Sequence, residues 1–244
     1  MRNNKKFALI TASTKGIGKE IAKALINKDY FVFINYNKDD EFANKLNVEF
    51  NDKRDCYRII KADMSNTDGM EFLYKNIISI TKTLDCIILN VGATCKKSFS
   101  EITIEEWNKV FNVNLAIPFF LIQKFKQNIN NNGRIIFISS VLGSIPHAIS
   151  IPYSVSKAGI NMLAKSLVRE FCNKNITVNA IAPGFIDTQW QKDKPHDLRT
   201  KIENKIALKR FGTPMEVAAV CMCIIENQYL NGAIIHIDGG YDLI

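Results

Sequence analysis

The chain has 244 residues, 47% of them hydrophobic, with a formal net charge of +8. That length suits one domain with a full core. The longest apolar run, Val217–Ile225, is too short to span a bilayer, and four apolar residues after Lys6 are too few for a secretory signal, so both membrane and export readings are excluded. The lysines are spread along the chain as a solvated surface and show no basic stripe with aromatics, which argues against nucleic acid and leaves an anionic small molecule or an acidic partner protein open. Six cysteines show no C-x-x-C pair and suit a reducing, cytoplasmic setting. Cys221 and Cys223 both read as core, and three scattered histidines offer no metal cluster.

Phe7–Ile10 predicts a first strand. Thr11-Ala12-Ser13-Thr14-Lys15-Gly16-Ile17-Gly18 follows as a small-residue turn, and Ile21, Ala24 and Leu25 then take helical spacing. A strand, a glycine turn and a helix start together suit a pyrophosphate, because free N–H groups at a helix start carry partial positive charge. Phe31–Ile34 is the second strand. It ends in Asn35-Tyr36-Asn37-Lys38, with no acid until Asp39 and Asp40, which read as the start of the next helix. Without a carboxylate for a ribose 2′-hydroxyl, Lys15 and Lys38 either face a 2′-phosphate or are simply solvated.

Strand and helix signals then alternate. Tyr57–Ile60 is a strand followed by Asp63, and Met70–Ile80 is helical. Cys86–Leu89 is an apolar run ending at Asn90-Val91-Gly92. Trp107–Lys126 reads as one long helix disturbed near Pro118. Asn128–Gly133 is a polar turn before strand Arg134–Ile138, which ends at Ser139 and Ser140. Pro152–Cys172 is a helix with Tyr153 at its start. Ile176–Ile181 is a strand before Pro183-Gly184, and Asp187–Lys205 is a polar stretch around Trp190, either a mobile lid or a rigid excursion. Pro214–Glu226 is a helix and Ala233–Ile237 a last strand. Seven strands separated by helices predict an α/β Rossmann-type fold, a parallel doubly wound sheet with helices on both faces, in a single domain over 1–244.

Tyr153 and Lys157 stand four apart, which on a helix places them on one face. A phenol, whose pKa is about 10, works as an acid or base near neutrality when a fixed ammonium favours its anion. Ser140, thirteen residues upstream of Tyr153, is placed to orient a carbonyl oxygen. A surface tyrosine with a solvated lysine is the competing reading of that pair.

The order of these motifs resembles the short-chain dehydrogenases/reductases over essentially the whole chain. Thr11–Gly18 is similar to their glycine turn, Leu89–Gly92 to their N-N-A-G, Val113-Asn114-Leu115 to their helix asparagine, Ser140 with Tyr153 and Lys157 to their serine and Y-x-x-x-K, and Pro183-Gly184 with Thr188 to their P-G turn. The resemblance implies a hydride transfer between nicotinamide and a carbonyl or secondary alcohol. The second strand's end without a carboxylate, with Lys15 and Lys38 available, predicts NADP(H) over NAD(H). It implies Tyr153 as acid/base, Lys157 holding the nicotinamide ribose and lowering the tyrosine pKa, Ser140 on the carbonyl, and Asn114 anchoring a proton relay. For the cofactor it implies Thr11, Ser13, Lys15, Gly16, Ile17, Gly18, Asn37, Lys38, Asp63, Met64, Asn90, Val91, Gly92, Pro183, Gly184, Ile186 and Thr188, besides Tyr153 and Lys157. Ala12 departs from the pattern's first glycine, and Leu89 and Val91 from N-N-A-G.

Within the family, Gly133-Arg134-Ile135-Ile136, Ile176–Asn179 and Ala182–Thr188 look most like 3-oxoacyl-[acyl-carrier-protein] reductases. That implies an acyl-thioester carbonyl substrate, an acyl carrier protein as a candidate partner, and a homotetramer or dimer. The alternatives are a small free carbonyl (sugar, hydroxyketone, steroid) or an NADP-binding regulator without turnover. The carrier-docking positions of that group fall on Asn131 and Lys174, expected near the site mouth, with Lys124, Lys126 and Arg134 available to compensate.

Overall fold

The computed structural model describes residues 5–146, 150–241 and 243; Arg2 and His147 lie outside them. Seven strands form one parallel sheet in the order β3-β2-β1-β4-β5-β6-β7. They are β1 (Lys6–Ile10), β2 (Tyr30–Tyr36), β3 (Tyr57–Lys61), β4 (Leu84–Leu89), β5 (Ile129–Ile138), β6 (Thr177–Pro183) and β7 (Ile234–Ile237). The helices are α1 (Gly16–Ile26), α2 (Asp40–Glu49), α3 (Thr67–Ile78), α4 (Ile104–Phe111), α5 (Ile117–Phe125), α6 (Ile151–Phe171), α7 (His196–Asn204) and α8 (Pro214–Glu226). The central strands are apolar on both faces because helices cover both, while the edge strand β3 exposes Arg58 and Lys61. Leu9, Phe33, Ile87 and Ile135 point into one buried cluster with Leu73, Leu121, Phe125 and Ile160 of α3, α5 and α6. Their neighbours Ala8, Ile10, Ile34, Ile88 and Ile136 point into the other, with Ile21, Leu25, Val217 and Cys221 of α1 and α8.

The strand order reverses between β1 and β4, so the connections leaving these two strands part to opposite sides and open a crevice at their C-terminal ends. The predicted strands all form. β5 begins earlier than Arg134: Ile129 pairs with Leu84, then the register shifts before Arg134 pairs with Cys86. Of the polar turn expected at 128–133, Asn128 closes a short helical turn and residues 129–133 are a bulged start to the strand, with Asn132 at φ 62°.

The long helix expected over Trp107–Lys126 is broken at Asn112–Ala116 by one wide π turn, where Ile117 donates to the carbonyl five residues back, Asn112. Pro118 has no N–H for the Asn114 carbonyl, so the ladder is relieved one turn before the proline. Cys221 is buried, but Cys223 is exposed. Two residues apart on α8 point to opposite sides, so both cannot be core. Among the described residues, no helix is long and apolar enough to cross a membrane, and no group of three or more His, Cys, Asp or Glu is placed to hold a metal.

Candidate active site

A cleft of about 410 Å³ lies at the C-terminal ends of the strands. Of the residues singled out from the sequence, Lys15, Gly16, Ile17, Asn90, Gly92, Ser140, Tyr153, Lys157, Pro183, Gly184, Ile186 and Thr188 line it. They come from the ends of β1, β4, β5 and β6 and from the starts of α1 and α6.

The β1–α1 turn forms one end. No side chain caps α1 and its first turn holds no acid, so its leading N–H groups are left for a ligand. Gly16 sits at φ 54°. A Cβ on Gly18 would lie 2.7 Å from the Ala12 carbonyl and 2.8 Å from Asn90 Nδ2, so only glycine fits. Ala12 itself is at φ 50°, where a side chain is strained. Asn90 Nδ2 donates to the carbonyls of Thr11 and Ala12, and the N–H groups of Asn90 and Val91 donate to Thr11 Oγ1. Thr11 and Asn90 thus lock the turn onto β4. Ser13 is buried, with its hydroxyl on the Ile10 carbonyl. Thr11, Ser13, Gly18 and Val91 shape the turn without lining the cleft, and Met64 is a core residue. This uncapped helix start and glycine cradle fit the pyrophosphate of a dinucleotide.

Asn37, Lys38 and Asp63 gather beyond the cleft, at the ends of β2 and β3. Burial raises the Asp63 pKa, but bonds from Ser65 and Asn37 and the Lys38 charge outweigh it and hold the carboxyl below its usual range. Asp39 is the residue preceding α2, but it does more than open that helix. Its carboxylate lines the cleft 2.6 Å from Lys15 Nζ, which also lies 4.8 Å from the Phe42 ring centroid. Lys15 is therefore neither free nor simply solvated.

The other end holds the polar constellation. Tyr153 and Lys157 occupy the first two turns of α6, where Pro152 fits because a helix start leaves its N–H groups unpaired anyway. Lys157 is 4% exposed. Its Nζ donates to the Ile138 carbonyl at 2.7 Å and lies 5.6 Å from the Tyr153 ring centroid. Burial brings its pKa down to about 8. The Tyr153 phenol is raised by burial, and its bond with the Ser140 side chain offsets only part of that. The sequence-based expectation was that Lys157 lowers the phenol's pKa. The ammonium is turned to the Ile138 carbonyl, and Ser140 is the group that lowers the phenol's pKa.

Asn114 sits in the π turn, 1% exposed. Its Oδ1 accepts from the Ala93 N–H at 2.7 Å and its Nδ2 donates to Ser156 Oγ at 2.8 Å, which in turn donates to the Tyr153 carbonyl at 2.7 Å. Asn114 stands behind the cleft wall and is tied to α6 through Ser156. Sequence reasoning missed Ser156, Asp39, Ser139, Gln189 and Gln191. Ser156 had one available signal, since it lies inside Tyr153–Lys157. Gln189 and Gln191 had none beyond their place after Thr188.

Asn131 and Lys174 are not at the mouth. Both precede the paired cores of β5 and β6, at the N-terminal ends of the parallel strands, while Ser140 and Tyr153 lie at the C-terminal ends. They cannot flank this chain's own cleft. Their supposed substitutes are also engaged: Lys124 pairs with Glu71, Lys126 with Glu170, and Arg134 bonds the Ile225 carbonyl.

Comparison with known proteins follows this geometry. Residues 11–242 match a family model described as enoyl-(acyl carrier protein) reductase. Glucose 1-dehydrogenase 2 of Bacillus subtilis is 34% identical, over 98% of this chain and 95% of its own. A 3-oxoacyl-[acyl-carrier-protein] reductase of Aquifex aeolicus is 31% identical, over 96% of each. Among solved structures, a short-chain dehydrogenase/reductase from Serratia marcescens superposes with a TM-score of 0.91 at 25% identity, covering 97% of this chain and 98% of that one. BdcA, solved in complex with NADPH, superposes with 0.87 at 26% identity, covering 97% and 94%.

Proposed function

Because the chain belongs to the short-chain dehydrogenase/reductase family, we propose that it is an NADP(H)-dependent carbonyl reductase, with a 3-oxoacyl thioester as its leading substrate. The observation that carries the proposal is a single cleft holding Ser140, Tyr153 and Lys157 at one end and an uncapped, glycine-cradled helix start at the other.

When bound, the reduced nicotinamide supplies a hydride to the carbonyl carbon. Tyr153 donates the proton that the carbonyl oxygen then needs, and burial keeps its phenol protonated for that task. Ser140 orients the oxygen by a hydrogen bond. Lys157 is charged at neutral pH, since its pKa is about 8. It holds the ribose and favours the phenolate left after proton transfer. Asn114 and Ser156 fix the first turn of α6 and anchor the route by which Tyr153 is reprotonated.

The coenzyme is NADP(H). Lys15 and Lys38 support this as two cations at the adenosine end, the first facing Asp39 and the second Asp63, with no carboxylate at the end of β2 itself. Asp63 serves the adenine, and Ile186 and Thr188 the nicotinamide amide. The segment 187–205 closes over the substrate. A homotetramer or dimer is supported by an apolar groove between α4, α5 and α6, where Phe120 is 45% and Met162 62% exposed. A cytoplasmic setting is supported by six free cysteines. An acyl carrier protein is the partner this reading brings with it.

The second reading, a small free carbonyl such as a sugar, draws on the likeness to glucose 1-dehydrogenase 2. NADPH oxidation over 3-oxoacyl thioesters, sugars, hydroxyketones and steroids separates the two. The thioesters are expected to give the highest kcat/KM. Turnover of sugars alone contradicts the leading reading, and no turnover with any carbonyl contradicts the enzyme.

A further inference from the structure

Near the cleft mouth, Gln191 carries a buried acceptor and Lys194 an ammonium that no hydrogen bond or ion pair engages among the described residues. After Thr188 the chain makes one 3-10 turn, Gln189–Gln191, closed by the Gln191 N–H on the Thr188 carbonyl at 2.9 Å. This turn sets Gln191 and Trp190 on the cleft wall. Gln191 Oε1 is buried and accepts no hydrogen bond among the described residues. Leaving such an acceptor unmade costs about 1–3 kcal/mol, so a ligand N–H or O–H gains by filling it.

Lys194 stands three residues on, at most about 10 Å of chain away. It is partly buried, with Nζ 5.9 Å from the Phe185 ring centroid. Lys96 lies on the loop that leaves the cleft at Gly92. Neighbouring cations are neutralised: Lys97 pairs with Glu106 at 2.8 Å and Arg199 with Asp187 at 3.1 Å. Among the described residues neither Lys96 nor Lys194 pairs with a carboxylate. Burial, and then the facing Lys96 ammonium, lower the Lys194 pKa. An anion beside Lys194 would favour its charged form.

We propose that this mouth reads the arm of the thioester: Gln191 accepts an amide N–H of the arm, and Lys194 holds a phosphate further along it. The substrate class this fits is a 3-oxoacyl thioester of a phosphopantetheine-type thiol. The proposal rests on the thioester reading above and supplies, at the correct end of the sheet, the positive charge that Asn131 and Lys174 do not.

The test uses three 3-oxoacyl thioesters with one acyl group and saturating NADPH. The coenzyme A ester has amides and phosphates, the pantetheine ester amides only, and the ethanethiol ester neither. Gln191→Leu is expected to raise KM about fivefold for the first two and leave the third unchanged, the loss of one hydrogen bond. Lys194→Ala is expected to raise KM about tenfold for the coenzyme A ester alone, most at low salt. Equal effects on all three esters, or on none, overturn the proposal. If the wild-type protein reduces no thioester, the functional reading fails by itself. The subsite is then decided by acetic anhydride labelling of Lys194 with free coenzyme A as probe and NADPH present. Protection of Lys194 by about fivefold upholds the subsite, and unchanged labelling overturns it.

Discussion

Tyr153, Lys157 and Ser140 were legible as chemistry in the sequence because four-residue spacing on a helix is a geometric statement. What was not legible is which way each polar atom turns. Lys157 faces the Ile138 carbonyl, a choice made by β5 and invisible from α6. Its pKa of about 8 fixes a sign. The ammonium is present below that pH and lost above it, so kcat/KM for carbonyl reduction is expected to be level to about pH 8 and to fall beyond. A profile level to pH 10 would remove Lys157 from the mechanism. Ala12 is a second case: its departure from glycine shows in the sequence, but only the fold reveals φ 50°. Ala12→Gly relieves about 1–2 kcal/mol of left-handed strain against about 0.5–1 kcal/mol of added chain entropy. A net gain of about 0.5–1 kcal/mol is expected in the denaturation midpoint; a lower midpoint would show the turn is unstrained. Asp39 was read as a helix start and proves to hold Lys15. Asp39→Asn frees that lysine, so the NADPH-to-NADH ratio of kcat/KM is expected to rise by about fivefold, one charge-assisted contact. A ratio that falls would mean Asp39 itself orders Lys15 for the phosphate.

At the scale of elements, the apolar runs were sufficient. A parallel strand covered on both faces has no polar alternation to misread, so β1, β2, β4 and β6 were found within a residue or two. The failures share one cause, backbone that departs from a regular ladder. The asparagine-rich start of β5 lacks apolar residues after Ile129 because a bulge exposes it. The disturbance expected near Pro118 does form, as the π turn at Asn112–Ala116; its width is what the sequence did not show. The segment 187–205 was read as one polar stretch and contains two parts. α7 is anchored by buried Ile202 and by Arg199, which pairs with Asp187 and Glu203. The turn before it carries Trp190, 48% exposed. Hydrogen exchange is therefore expected to slow at 189–194 when NADPH and product bind, with α7 little changed. Unchanged exchange at 189–194 would count against closure.

For the whole molecule, the sheet order decides where chemistry happens. Reversal between β1 and β4 opens the crevice, and the candidates that line it come from a strand's C-terminal end or from the segment or helix that follows. The same logic removes Asn131 and Lys174 from this chain's mouth, since strand polarity puts them at the far edge. Motif matching carried no such direction; topology does. The +8 charge is a property of the surface, where exposed ion pairs such as Lys28–Glu226 contribute little to stability.

The central claim is that Tyr153 is the proton donor in a hydride transfer to a carbonyl. Tyr153→Phe keeps the ring and removes the hydroxyl alone. The direct measurement is single-turnover oxidation of enzyme-bound NADPH by the best carbonyl substrate, with NADPH affinity determined in parallel. A rate lower by about 10² or more is expected, with NADPH affinity within about twofold of wild type. A rate near wild type, with the coenzyme bound normally, would contradict it.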